Sequence, residues 1–281
     1  MPKRSNFRPL FLVLLHVIMV LSETPLAPAL YVFGDSLVDS GNNNFLETTA
    51  VANYKPYGID FPLGPAGRFT NGKTIMDFFA ESLGLPYVPA YLSLSNDEKS
   101  KVATGVNYAS GSAGFLPERG TALRLYSIGS RKFVVFKMGP LGCLPAIVNS
   151  ANRKPNTPCI EAVNQLVIIF NDKILETIIK LRGDLENSTF VQGNIYLSSY
   201  TTNLEPCTFG FTAGRSICCV VGGNGTTTCL QNQTPCADRT KYIYWDTFHP
   251  TEEVNRQTAI GCFSGRSPCV PLNINELAQR Q

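Results

Sequence analysis

Short apolar runs separated by turn residues alternate along this chain with longer stretches of helical spacing. Tyr31-Val32-Phe33 is apolar and ends in Gly-Asp-Ser, which predicts a buried parallel strand with a turn at its C-terminal end. From Thr74 to Leu83, Ile75, Phe78, Phe79 and Leu83 share one helical face, and Gly84 and Pro86 stop the helix. Val102 to Tyr108 predicts a second strand running into the small-residue turn Ala109 to Gly114. Phe133 to Phe136 predicts a third, followed by the turn-rich Gly139 to Pro145. The clearest helix spans Cys159 to Arg182, where Ile160, Val163, Val167, Phe170, Ile174, Ile178 and Leu181 recur every three or four residues and Gly183 stands as C-cap. A weak strand follows from Phe190 to Tyr196. The Gly/Thr/Cys-rich stretch from Cys207 to Cys236 reads as a disulfide-tied loop. Pro250-Thr251-Glu252-Glu253 then opens a last helix, with proline and acids in its first turn. Strands alternating with helices predict an α/β fold with its site at the C-terminal ends of the strands.

The first residues do not belong to that fold. Lys3, Arg4 and Arg8 precede an apolar stretch from Leu10 to Leu21, with small residues at Ser22, Ala27 and Ala29. This is the pattern of a secretory signal over 1–22, cleaved somewhere between 22 and 29, and it leaves a single domain over 23–281. The apolar stretch is shorter than the roughly 20 residues a spanning helix needs, so no stable membrane insertion is expected. The chain has 24 Lys+Arg against 21 Asp+Glu. Three of those cations lie in the leader, so the remainder is balanced and has no basic stripe for nucleic acid.

Nine cysteines, all at or beyond Cys143, point to disulfides in an exported protein, and the odd number leaves one thiol over. With no Cys-x-x-Cys pair and one histidine beyond the leader, no metal site and no cofactor is expected. Asn187, Asn224 and Asn232 stand in glycosylation sequons, in keeping with a secreted, extracellular protein.

That one histidine, His249, is the sole imidazole for acid/base chemistry, and Asp246 three residues before it can fix its tautomer. A serine nucleophile needs such a base and an oxyanion hole, and Ser36 stands at the exit of the first predicted strand. No Gly-x-Ser-x-Gly elbow occurs in the chain, which argues against an α/β-hydrolase.

The stretch Tyr31-Val32-Phe33-Gly34-Asp35-Ser36-Leu37-Val38-Asp39-Ser40-Gly41-Asn42-Asn43-Asn44 closely resembles the first block of the plant GDSL esterase/lipase family, within the SGNH hydrolase superfamily. The similarity continues through Tyr57-Gly58-Ile59-Asp60-Phe61-Pro62, Gly67 to Lys73, Asn107 to Gly111, Gly139 to Cys143, and Trp245-Asp246-Thr247-Phe248-His249-Pro250-Thr251-Glu252. The resemblance implies a three-layer flavodoxin-like fold with a parallel sheet. It also implies Ser36 as nucleophile, His249 as general base and Asp246 as its orienting acid. The Ser36 N–H and a second-block glycine, Gly114 or Gly111 with Gly114 preferred, would serve the oxyanion. The implied substrate is a small-molecule or lipid carboxylic ester.

One family element is missing. The third block, a strand ending in Gly-x-Asn-Asp whose asparagine serves the oxyanion, should fall between Gly114 and Phe133. The 18 residues there leave room for one crossover helix and no extra strand. Gly222-Gly223-Asn224-Gly225 mimics the motif inside the cysteine-rich loop but lacks both a preceding strand and the Asp. A central strand is therefore expected to be absent, with Phe133–Phe136 lying directly against Tyr31–Phe33. Besides a secreted esterase/lipase, the residues allow an inactive lipid- or cell-wall-binding protein, or an acyltransferase using the same three residues.

Overall fold

The computed structural model describes residues 24–114, 122–150, 158–222 and 228–280. Residues 1–22, expected to be a leader, and Asn224 lie outside the described residues. The chain enters in extended form beside residues 104–110. Leu30 donates its N–H to Thr104 O, Val32 to Val106 O, Tyr108 to Val32 O, and Ser110 to Gly34 O. Only Val32 and Asn107 form a ladder bridge, so the two strands expected here shrink to one parallel bridge. Gly105 permits this close approach: it has φ +106°, and any Cβ would collide with the Leu30 backbone.

Helix α1 (Ile75–Ser82) opens where Asp77 accepts both the N–H and the hydroxyl of Thr74, and it ends ahead of Gly84 at φ +73°. Helices α2 (Asn96–Lys101) and α3 (Ala122–Ser127) lead to strand β1 (Lys132–Phe136). After α4 (Pro145–Ser150) comes α5 (Glu161–Asp184), which runs past Gly183 rather than stopping at it. Asn164 and Asn171 are buried on α5 and explain the order of the turn after β1. Asn171 brackets the Met138 N–H and C=O, and Asn164 accepts the Gly142 N–H. Strand β2 (Thr189–Gly193), helix α6 (Ile195–Leu204), strands β3 (Ala213–Ile217) and β4 (Tyr242–Tyr244), helix α7 (Glu252–Ser264), strand β5 (Cys269–Val270) and helix α8 (Ile274–Gln279) complete the order.

β1 and β2 pair in parallel from Lys132–Thr189 to Phe136–Gly193, β5 joins β2 antiparallel, and β3 and β4 form a separate parallel pair. Alternate side chains of this sheet serve two cores. Val134, Phe136 and Val191 face Phe79, Ala80 and Leu83 from α1, Ala259 and Cys262 from α7, and Leu277 from α8. Phe133, Val135 and Phe190 face Ile174, Ile178 and Leu181 from α5. A helix layer therefore lies on either side of the strands, the three-layer α/β arrangement.

The expected contact between Phe133–Phe136 and Tyr31–Phe33 does not form. β1 bonds only to β2, and no backbone hydrogen bond among the described residues joins it to residues 30–34. The expectation assumed that the slot would be buried. Tyr31 and Phe33 are instead 53% and 54% exposed, so water can serve the backbone groups that face it.

Four disulfides form, Cys143–Cys159, Cys218–Cys236, Cys219–Cys229 and Cys262–Cys269, and Cys207 is the exposed free thiol. No helix of the described residues is long and apolar enough to cross a membrane.

Candidate active site

Ser36 lies in a tight turn after the Val32 bridge. Asp35 builds that turn, its Oδ1 accepting the Leu37 N–H and its carbonyl the Val38 N–H, which is a structural role. Behind it, Asp39 is fully buried and accepts the N–H groups of Gly41, Asn42 and Gly111. Burial pushes its carboxyl up from the ordinary value, against those hydrogen bonds. Asn42 donates to the carbonyls of Asn107 and Ala109, Asn43 to those of Ala50 and Gly111, and Asn107 to that of Val38. The polar run Asp39 to Asn43 is thus a strut that fixes the serine turn to the second block.

The other half of the site follows β4. Trp245 donates its N–H to His249 O at 2.8 Å, closing a loop that turns Asp246 and His249 back together. Asp246 is fully buried. Its Oδ1 accepts the N–H groups of Phe248 and His249, and its Oδ2 accepts the Tyr57 hydroxyl at 2.7 Å. His249 Nδ1 lies 2.8 Å from Asp246 Oδ2, and Nε2 lies 2.8 Å from Ser36 Oγ. The Phe69 ring packs on the imidazole with centroids 5.1 Å apart. The structure therefore brings Ser36, His249 and Asp246 into one line across 213 residues of sequence.

The glycines separate. The Gly111 N–H is taken by Asp39 at 3.0 Å, and a Cβ there would come within 2.6 Å of the Asn43 amide. Gly111 is thereby corrected from candidate oxyanion donor to packing residue. Gly114 is exposed with nothing within 4 Å of where a Cβ would stand, and the Ser36 N–H has no hydrogen-bond partner among the described residues. Asn187 and Asn232 are exposed, each at φ +58°. No group of His, Cys, Asp and Glu suited to a metal occurs among the described residues.

Sequence reasoning missed Tyr57, Asp39 and the three buried asparagines as parts of the site. Their shared signal is polar residues in otherwise apolar, small-residue blocks, since a buried polar group must find a partner.

The family model described as GDSL-like Lipase/Acylhydrolase matches residues 30–119 and 116–260. A GDSL esterase/lipase of Arabidopsis thaliana is 35% identical over 90% of this chain and 86% of its own length. A second from the same plant is 33% identical over 91% and 89%, and GDSL esterase/lipase 7 is 33% identical over 91% and 93%. The first alignment runs over 336 positions while using 90% of a 281-residue chain, so the relative carries many tens of residues absent here. The two stretches matched by the family model overlap at 116–119, inside the segment between Gly114 and Phe133 where the third block was expected. Matched on both sides of that junction, the chain belongs to the GDSL-like lipase/acylhydrolase family and is by kinship a carboxylic ester hydrolase.

Proposed function

We propose that this protein is a secreted serine esterase acting on lipid-type acyl esters through an acyl-enzyme on Ser36. The observation that carries the reading is the 2.8 Å contact from Ser36 Oγ to His249 Nε2, with Nδ1 held on Asp246. His249 takes the Ser36 proton as Oγ attacks the ester carbonyl carbon. The tetrahedral intermediate collapses, and His249 returns that proton to the leaving alcohol. Water then attacks the acyl-enzyme with His249 again as base, releasing the acid and restoring Ser36. Asp246 keeps the imidazole in the Nδ1–H tautomer and stabilises its protonated form. The N–H groups of Ser36 and Gly114 are the proposed oxyanion donors. Without the third-block asparagine, turnover should lie about 100- to 1,000-fold below that of a full-length relative. Four disulfides and the exposed sequons Asn187 and Asn232 support export and glycosylation.

The missing block favours a second reading, a lipid- or cell-wall-binding protein without turnover. Glycosylated protein and its Ser36→Ala variant should be compared on short p-nitrophenyl esters and with a fluorophosphonate that labels activated serines. Turnover and labelling that both vanish in the variant support the esterase. Labelling without turnover favours the binding protein, and no labelling at all would mean that the serine is not activated.

A further inference from the structure

Tyr57 stands at the far end of the site from Ser36, beyond His249 and Asp246. Its side chain is fully buried, between Tyr54, Phe69 and Trp245, with ring centroids 5.3, 6.1 and 6.4 Å away. Its hydroxyl accepts the Cys229 N–H at 3.2 Å and lies 2.7 Å from Asp246 Oδ2. With its lone pair used by Cys229, the phenol directs its proton at the carboxylate. Cys229 is held in turn by its disulfide to Cys219 and by the Tyr54 hydroxyl on its carbonyl. Burial, and then the Asp246 charge, push the Tyr57 phenol far above its ordinary value, so it remains a donor at any working pH.

We propose that Tyr57 is a positioning residue that sets both the orientation of Asp246 and the basicity of His249. The inference rests on the serine–histidine–aspartate reading above. Asp246 Oδ1 accepts two backbone N–H groups and Oδ2 accepts the phenol, while the His249 Nδ1 lies between them, 2.9 Å from Oδ1 and 2.8 Å from Oδ2. The phenol draws negative charge from Oδ2, which weakens its pull on the His249 Nδ1–H. Tyr54 and, from β4, Tyr242 are titratable side chains packed in the same cluster as Tyr57. The neighbouring Arg68 is closed in its own ion pair with Asp77.

Tyr57→Phe keeps the ring and removes the donor. The carboxylate, relieved of that donor, then acts more strongly on the imidazole, and the protonated form of His249 gains. The His249 ring-proton titration of the variant should move up relative to that of the parent. In an active enzyme the acid limb of kcat/KM should follow it, and kcat should fall about tenfold with KM unchanged. Replacing Tyr57 by 3,5-difluorotyrosine keeps the shape and strengthens the donor, so the titration should move down. Beyond the leader His249 is the only histidine, so its ring protons can be followed by NMR without assignment and without turnover. A titration that stays put in folded Tyr57→Phe, or in the difluorotyrosine protein should the phenylalanine variant not fold, overturns the proposal. Opposite shifts in the two support it. Because the NMR readout needs no substrate, an inactive enzyme with shifting titrations would sink the esterase reading and leave this one standing.

Discussion

Asp246 is served by four donors, two from its own loop, one from His249 and one from Tyr57, which lies 189 residues away in sequence. That distribution separates what could be read from the chain from what could not. Ser36, Asp246 and His249 were legible because their motifs are local and the chemistry names the residue types. Tyr57 and Asp39 were not, because each acts through a partner that only folding brings near. The Gly111 expectation failed for the same reason: a glycine N–H is available only if no remote carboxylate claims it. At this scale, His249→Ala should remove all serine-dependent turnover, since the one other histidine, His16, lies in the expected leader. Asp246→Asn should cost about 10,000-fold, because the amide favours the wrong tautomer. Steady-state rates on a p-nitrophenyl ester check both, and residual activity of more than a per cent in either variant would mean that proton transfer runs by another route.

Helices α1 and α5 were readable from their apolar spacing, α7 from the proline and acids of its first turn, β1 from its apolar run, and β2 as a weak strand. α6 was not. Ile195 to Leu204 carries serine and threonine in nearly half its positions, which reads as strand or loop. Its Ser198, Thr201 and Thr202 hydroxyls bond back to carbonyls three or four residues earlier, so the helix absorbs them. The strand at Tyr31-Val32-Phe33 was read as buried because an apolar run implies neighbours on both edges. Here one neighbour is missing, so a bridge and two exposed aromatics remain. The same absence gives β1 one bonded and one open edge. Thr189 N–H reaches Arg131 O and Lys137 N–H reaches Gly193 O, so the amides of Phe133 and Val135 face β2, and those of Val134 and Phe136 face outward. Hydrogen exchange should alternate accordingly, fast at Val134 and Phe136 and slow at Phe133 and Val135. Uniform slow exchange along β1 would show that something does pair with that edge. Grafting the third block of a relative between Gly114 and Ala122 should close it. The graft should raise the melting temperature and recover the 100- to 1,000-fold or so in turnover assigned to the asparagine. A graft that raises stability but not rate would show that two backbone donors suffice.

Across the whole molecule, the α/β class was legible from the alternation of strands and helices, and the odd cysteine and the use of disulfides from composition. Their pairing was not, because nine cysteines allow many connectivities and only the fold selects among them. The pairing chosen is local. Every bridge closes within the span from Cys143 to Cys269, at separations of 16, 18, 10 and 7 residues.

The covalent cross-links therefore stop short of the nucleophile. Residues 24–114, which carry Ser36, contain no cysteine, and apart from the chain itself they meet the remainder only through non-covalent contacts. Those contacts are many: Phe79 and Leu83 pack in one core with Ala259, Thr70 donates to Pro250 O, the Lys73 N–H reaches Glu252, and Asn71 accepts the Glu252 N–H. The molecule is in this sense already two pieces, an oxidised one bearing the base and a thiol-free one bearing the serine. Co-expressed as separate polypeptides, 24–114 and 122–281 should complement each other and restore phosphonate labelling of Ser36, while neither is labelled alone. Failure of the mixed halves to label would mean that the short connection between them, and not their interface, brings nucleophile and base together.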